Sequence, residues 1–256
     1  MAGVVKSSWV TGKVLENFQW SKRLLSLRIE ADIGDFKAGQ FVRLQVPLEI
    51  DGVMQPLSKS YSLINPPGEA PLEVFYNIVP NGKLSTALAA LKSGDSIEVS
   101  QPANGFFVLD EVPVTEQLWM VATGTGLGPF LSILQTAQVW DRYRHIILVH
   151  SVPVISELAY SELIQSLAQT YPDQFRFISC VTREANPAGL GMRVTTALAS
   201  GELEQQVGLS FSATQAHFML CGNHNMLNDM KDLLGQRGLN KHLRHRPGQI
   251  TTEQYF

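Results

Sequence analysis

The stretch with the plainest chemical meaning is Leu118–Leu131, LWMVATGTGLGPFL. Four apolar residues, Leu118 to Val121, suit a buried parallel strand. Gly124, Gly126 and Gly128 then remove side chains where the backbone must bend or approach a ligand closely. A helical pattern resumes at Pro129, which tolerates a first helical turn, so unpaired N–H groups and a positive dipole end face the glycine turn. A phosphate is the ligand such a turn accepts, although glycines that serve only a tight turn would read the same way. Cys221-Gly222-Asn223 ends the last candidate strand, the end beyond which ligands bind in parallel sheets. A second anion candidate is Lys83-Leu84-Ser85, which follows the turn pair Asn81-Gly82. There Ser85 is expected to cap a helix, alone or together with neighbouring N–H groups that meet an anion.

Other chemistries find little support. No acid–base pair, metal cluster or nucleophilic triad has convincing spacing. Cys180 and Cys221 stand 41 positions apart (221 − 180) and form neither a metal motif nor a disulfide framework, which excludes an internal cluster held by four cysteines. His150 and His217 fall inside apolar strand patterns and read as satisfied core histidines. A net charge of −3 exerts no pull on nucleic acid or acidic membranes. Lys241, His242, Arg244, His245 and Arg246 crowd a short segment, either as a solvated helix end or as a dock for an acidic protein.

The elements that must position these residues divide in two. Hydrophobic content of 45% with 17% charged residues is that of a globular chain. No run approaches the roughly 18 apolar residues of a membrane span, and the start lacks the pattern of a secretory signal. Cytoplasm is therefore expected, with no membrane or nucleic-acid partner. From Trp9 to about Ser100 the pattern is short and strand-like: Leu24–Ile29, Phe41–Val46 and Leu72–Tyr76 alternate, with one helical insertion at Ser85–Leu91. An antiparallel barrel or sandwich follows. After Thr115 strands at 118–122, 145–150, 175–181 and 217–221 alternate with helices at 129–140, 156–170 and 225–236. That alternation implies a mostly parallel sheet. The expected domains are 1–110 and 111–256.

The chain resembles the bacterial ferredoxin-NADP reductases. The resemblance rests on KSYS (59–62), VPNGKLS (79–85), GFFVLDEVP (105–113), ATGTGLGP (122–129), TRE (182–184), MLCGN (219–223), KHLRHRPG (241–248) and the terminal Tyr255-Phe256. It implies an antiparallel FAD-binding β-barrel followed by an α/β NADP-binding domain. It further implies a monomer in which FAD takes hydride from NADPH and passes single electrons to ferredoxin or flavodoxin. A reductase of the same fold with another NAD(P)H acceptor is the alternative.

By resemblance Tyr61 stacks on the isoalloxazine ring and Ser62 hydrogen-bonds near its reactive nitrogen. Lys59 stands where the family has an arginine on the FAD pyrophosphate, so a point charge replaces a planar fork. Ser60, Lys83, Leu84, Ser85 and Thr125 complete the FAD set. Thr123, Gly124, Gly126, Cys221 and Gly222 are implied for NADP, and Arg183 and Arg193 for its 2′-phosphate. Pro153 occupies the position of a third family arginine. Cys221 would position the nicotinamide without acting as a nucleophile. Tyr255 would cover the second flavin face and move aside for nicotinamide, a gating step, while Phe256 lies against the adenine. Ser62, Cys221 and Tyr255 are thus the expected catalytic residues, with no metal, and Lys241, Arg244 and Arg246 the residues expected to dock the carrier.

Overall fold

The computed structural model describes residues 8–254. It divides into one unit of Met1–Val108 with Leu131–Gln135 and another of Leu109–Phe130 with Thr136–Phe256.

The first unit holds six antiparallel strands: β1 (Ser8–Gln19), β2 (Leu24–Glu30), β3 (Phe41–Ile50), β4 (Val53–Ser62), β5 (Leu72–Asn77) and β6 (Ser96–Gln101), in the order β4-β3-β6-β1-β2-β5. β3 and β4 form a hairpin whose two turn residues, Asp51 and Gly52, both have positive φ, 54° and 79°. Asp-Gly is a pair that tolerates this, and the turn twists with its strands. The sheet curls until its edges meet, where Leu63 bridges Val74 and the Ile64 N–H donates to the Glu73 carbonyl at 2.9 Å. The result is an antiparallel barrel. Leu27, Leu44, Val74 and Val99 are fully buried in its core.

Helix α1 (Lys83–Ala90) is eight residues long, too short to stand alone. Leu84 and Leu88 pack it into the barrel core, each contributing about 1.5–3 kcal/mol by burial.

The second unit is a five-stranded parallel sheet, ordered β11-β10-β7-β8-β9. Its strands are β7 (Gln117–Thr123), β8 (His145–Val152), β9 (Phe175–Val181), β10 (Ala216–Gly222) and β11 (Ile250–Gln254); helix α2 (Gly128–Leu134) starts in this unit and from Leu131 belongs to the first, and the remaining helices are α3 (Ala137–Arg142), α4 (Ser161–Thr170), α5 (Val194–Ser200), α6 (Glu202–Val207) and α7 (His224–Gln236). β7 and β10 are buried almost throughout, as central strands covered on both faces must be. Trp119 stacks on Phe218 at 5.3 Å between ring centroids, and the Arg237 guanidinium closes this aromatic layer 3.7 Å over Phe211.

Three expectations need correction. The single helix at 129–140 is two, because Thr136 is extended between α2 and α3 (φ −101°, ψ 146°). There the Gln135 side chain turns back to the carbonyls of Ile64 and Leu131 at 2.9 and 3.0 Å. The helix placed at 156–170 begins only at Ser161, after a 3₁₀ turn at Ile155–Glu157 and a left-handed Tyr160. The two strand histidines are satisfied at one nitrogen only. His150 Nε2 meets the Gly124 carbonyl and His217 Nε2 meets Thr251 Oγ1, both at 2.9 Å, while each Nδ1 has no hydrogen-bond partner. Among the described residues no helix is long and apolar enough to cross a membrane.

Burial lowers the His217 pKa from 6.5 to about 3. The unfolded chain therefore binds a proton here that the folded chain refuses between those values. The stability associated with neutral His217 is fully present above pH 6.5 and is lost as pH falls toward 3. Urea unfolding of the protein and of His217→Gln should give stability curves whose slopes below pH 6 differ by about 1.4 kcal/mol per pH unit. Parallel curves would show that His217 is not buried in neutral form.

Candidate functional site

In the barrel, β4 delivers Lys59, Ser60, Tyr61 and Ser62 opposite Leu44, Arg43, Val42 and Phe41 of β3. Lys59 and Ser60 are exposed, Tyr61 is half-buried and Ser62 is buried. Tyr61 packs its ring on the barrel core and forms a T-shaped pair with Tyr76, with centroids 6.2 Å apart and planes at 82°. Burial pushes the Tyr61 hydroxyl up to about 12, so the residue is a neutral aromatic platform at any working pH.

At α1 the structure revises the role of Ser85. The N-cap is Gly82, which supplies no side-chain cap. Ser85 lies in the first turn, its buried Oγ accepting from the Val79 N–H at 3.0 Å and donating to the Gly82 carbonyl at 3.2 Å. This bond pair fixes the turn before the helix and leaves the first-turn N–H groups to an outside acceptor. Leu84 can offer only its backbone, since its side chain is in the core. Lys59 and Lys83 are exposed cations. A flat ring, a buried hydroxyl, a helix N-terminus without a side-chain cap and two exposed lysines are groups that could hold a ring and a phosphate.

In the parallel sheet, chain order reverses between β7 and its neighbour β10, and the loops leaving both strands meet there. Gly124 has φ +53° with open space where a side chain would stand, so a ligand can approach its backbone. Gly126 serves another purpose: a Cβ there would lie 2.5 Å from the Cys221 carbonyl oxygen. Gly222 (φ +148°) has no room for a side chain against Thr123 Oγ1. That hydroxyl accepts from the Asn223 N–H at 3.0 Å and from its Nδ2 at 3.2 Å, while Asn223 Oδ1 accepts from the Met226 N–H at 2.9 Å and caps α7. Thr125 stands in the same loop. Cys221 is fully buried beside Ala122 and Glu253, as a shape-setting residue would be. With β7 and β8 between their strands, Cys221 and Cys180 are about 14 Å apart by strand spacing, too far for a disulfide.

Beyond β9, Arg183 and Arg193 are both exposed, and Arg193 is the N-cap of α5. Asn186 holds the loop between them through Nδ2, which donates to the Ser179 carbonyl, Ser179 Oγ and the Leu190 carbonyl at 3.1, 3.0 and 3.3 Å. The Arg183 N–H donates to the Pro153 carbonyl at 2.9 Å, which places position 153 beside the arginine. In the basic segment, Arg244 makes a bidentate ion pair with Glu111 at 2.6 and 2.8 Å. Its hydrogen bond holds the Glu111 carboxyl below the usual carboxylate range. Arg244 is therefore charge-compensated within the protein, whereas Lys241 and Arg246 are exposed. Tyr255 and Phe256 lie outside the described residues.

Comparison with known proteins finds two family models. Residues 13–107 match the oxidoreductase FAD-binding domain and residues 120–232 the oxidoreductase NAD-binding domain. The chain is 45% identical to the flavodoxin/ferredoxin-NADP reductase of Escherichia coli (strain K12), over 98% of its own length and 100% of that protein. The chain belongs to the flavodoxin/ferredoxin-NADP reductase family. A ferredoxin-NADP reductase of Pseudomonas aeruginosa is 35% identical over 98% of both chains. The crystal structure of a ferredoxin NADP⁺ reductase from Neisseria gonorrhoeae with bound FAD and NADP superposes with a TM-score of 0.90 at 32% identity, covering 97% of this chain and 99% of that one.

Against this family background, three residues at the site were not assigned from sequence. Asn223 was legible as a polar N-cap before a helix. Asn186 carried only the turn signal Asn-Pro. His150 looked like core. It is fully buried, and burial lowers its pKa from 6.5 to about 4, so the neutral ring donates Nε2–H to the Gly124 carbonyl and sets the orientation of the glycine turn. His150→Phe should raise the dissociation constant for NADP⁺ about 10-fold through the lost bond, and His150→Gln, which keeps a donor, should recover most of it. Unchanged binding in His150→Phe would show that the turn holds its shape without the imidazole.

Proposed function

We propose that this protein is an FAD-dependent oxidoreductase that moves electrons between NADPH and a ferredoxin or flavodoxin. The observation that carries this reading is the full-length match to a flavodoxin/ferredoxin-NADP reductase, covering 98% of this chain and 100% of that protein. Flavin, when bound, supplies the exchange between two-electron nicotinamide chemistry and one-electron carrier chemistry. Everything else falls to the protein. Tyr61 would provide a flat apolar face for the ring and Ser62 a hydroxyl toward its reactive edge. Lys59 and the α1 N-terminus, with Ser60, Lys83 and Ser85, would hold the pyrophosphate, Lys59 as a point charge.

The turn after β7 would hold the NADP pyrophosphate through Thr123, Gly124 and Gly126, with Thr125 given to the flavin and Cys221 and Gly222 shaping the nicotinamide side. Arg183 and Arg193 would read the 2′-phosphate. The protein works as a cytoplasmic monomer, where NADPH and reduced carriers are found. Because Arg244 is paired with Glu111, attraction of an acidic carrier would rest mainly on Lys241 and Arg246.

Anaerobic stopped-flow mixing tests the reading directly. NADPH should bleach the flavin band faster than NADH, and Arg193→Ala should raise the apparent NADPH constant about 10-fold while leaving the NADH constant nearly unchanged. Equal bleaching by both nucleotides would move the protein to a general NAD(P)H reductase, and bleaching by neither would overturn the mechanism. Lys241→Glu combined with Arg246→Glu should slow reduction of ferredoxin or flavodoxin at low salt and leave ferricyanide reduction unaltered. Equal losses with both acceptors would remove the docking role.

A further inference from the structure

One side chain on β1 hydrogen-bonds both to the C-terminal end of α1 and to Tyr76 of β5, the ring that packs against Tyr61 of β4. In β1 Val14 pairs with Ile29 and the next registered pair is Glu16 with Arg28, so Leu15 is an extra residue in a β-bulge. Side chains alternate along a strand, and one inserted residue reverses which of the following ones face the core. Val14 is fully buried and faces inward. Without the bulge Glu16 would face inward too. With it Glu16 turns out to an ion pair with Arg28 at 3.2 Å, and Asn17 turns in, opposite the fully buried Leu27.

Asn17 there meets three groups. Its Nδ2 donates to the carbonyls of Leu88 and Leu91 at 2.8 and 3.1 Å, at the C-terminal end of α1. That end lacks a left-handed glycine: Leu91 is extended, with φ −65° and ψ 140°. The Leu88 carbonyl also accepts from the Leu91 N–H at 3.2 Å, so the Asn17 amide adds a second donor there and supplies one to the Leu91 carbonyl beyond the helix end. Asn17 Oδ1 accepts from the Tyr76 hydroxyl at 2.9 Å. Tyr76 is 2% exposed and packs against the Tyr61 ring with the two planes nearly perpendicular. The amide cannot be reversed without facing its oxygen toward two carbonyls.

We infer that Asn17 is a positioning residue of the flavin site, one that holds the Tyr61 ring and helix α1 at a set spacing. The inference rests on the flavin reading above. A dinucleotide that lays its ring on Tyr61 and its phosphates at the first turn of α1 needs both in register. In a helix of eight residues a restraint at one end is felt at the other. Loss of Asn17 frees Tyr76 and loosens α1 together, so a ligand spanning both supports should suffer more than one resting on a single support.

The test is titration of flavin-free protein, prepared from the holoenzyme, with FAD and with riboflavin, the fragment that carries the ring without the phosphates. Asn17→Ala should raise the FAD dissociation constant about 10-fold, with the riboflavin constant moving less than about threefold. Tyr76→Phe keeps the ring and the fold and removes one of the three bonds; it should weaken FAD about threefold and alter the visible circular dichroism of the bound flavin. Equal losses for FAD and riboflavin, or FAD constants within twofold of the parent in both variants, would overturn the inference. A parent protein that takes up no FAD would instead overturn the flavin reading itself.

Discussion

How closely two backbones approach at the ends of β7 and β10 decides the shape of the nucleotide loop. Gly126 lies against the Cys221 carbonyl and Gly222 against the Thr123 hydroxyl, contacts that any side chain at either glycine would push apart. Asn223 then ties the two strand ends together through Thr123 and starts α7 with the same side chain. Only within that frame does Gly124 present an open, positively twisted backbone to a ligand, with His150 fixing its carbonyl from below. Glycine in this loop therefore has two separate reasons: two positions serve protein packing and one serves access.

The barrel solves a different problem. An eight-residue helix with no side-chain cap at its start cannot hold a phosphate unless the protein holds the helix. Leu84 and Leu88 supply the apolar anchor, Ser85 fixes the preceding turn, and Asn17 secures the far end. Closure of the sheet at Leu63 and Val74 is what brings β4 next to β5, and hence Tyr61 next to Tyr76. A barrel left open at that seam would separate the ring platform from its support.

Electrostatics is used sparingly. Buried His150 and His217 are neutral, and burial also suppresses ionisation of Tyr61, Tyr143 and Cys180. Lys59, Lys83, Arg183 and Arg193, the cations proposed to face the two nucleotides, are all exposed at the surface. The Arg244–Glu111 pair shows why a count of basic letters overstates a docking surface: one of the cations in that segment is already matched within the fold.

The order of the two units, the parallel sheet after Thr115 and the glycine turn were all legible in the sequence, because periodicity and glycine placement are local properties. So were the motifs that place the chain in its family. Strands β1, β4, β6 and β11 were not, since β1 carries a bulge that breaks its alternation and β11 exists only by pairing with β10. The break at Thr136 has no proline or glycine to announce it. Ser85 was read as a cap because local rules see a serine near a helix start, whereas its real partners depend on how the chain turns at Val79. Tertiary structure alone decided that Arg244 is paired, that His150 holds Gly124, and that Asn17 reaches both Tyr76 and α1. Each of these joins residues at least 26 positions apart. No local pattern records such contacts, since they depend on which strands the folded chain sets side by side.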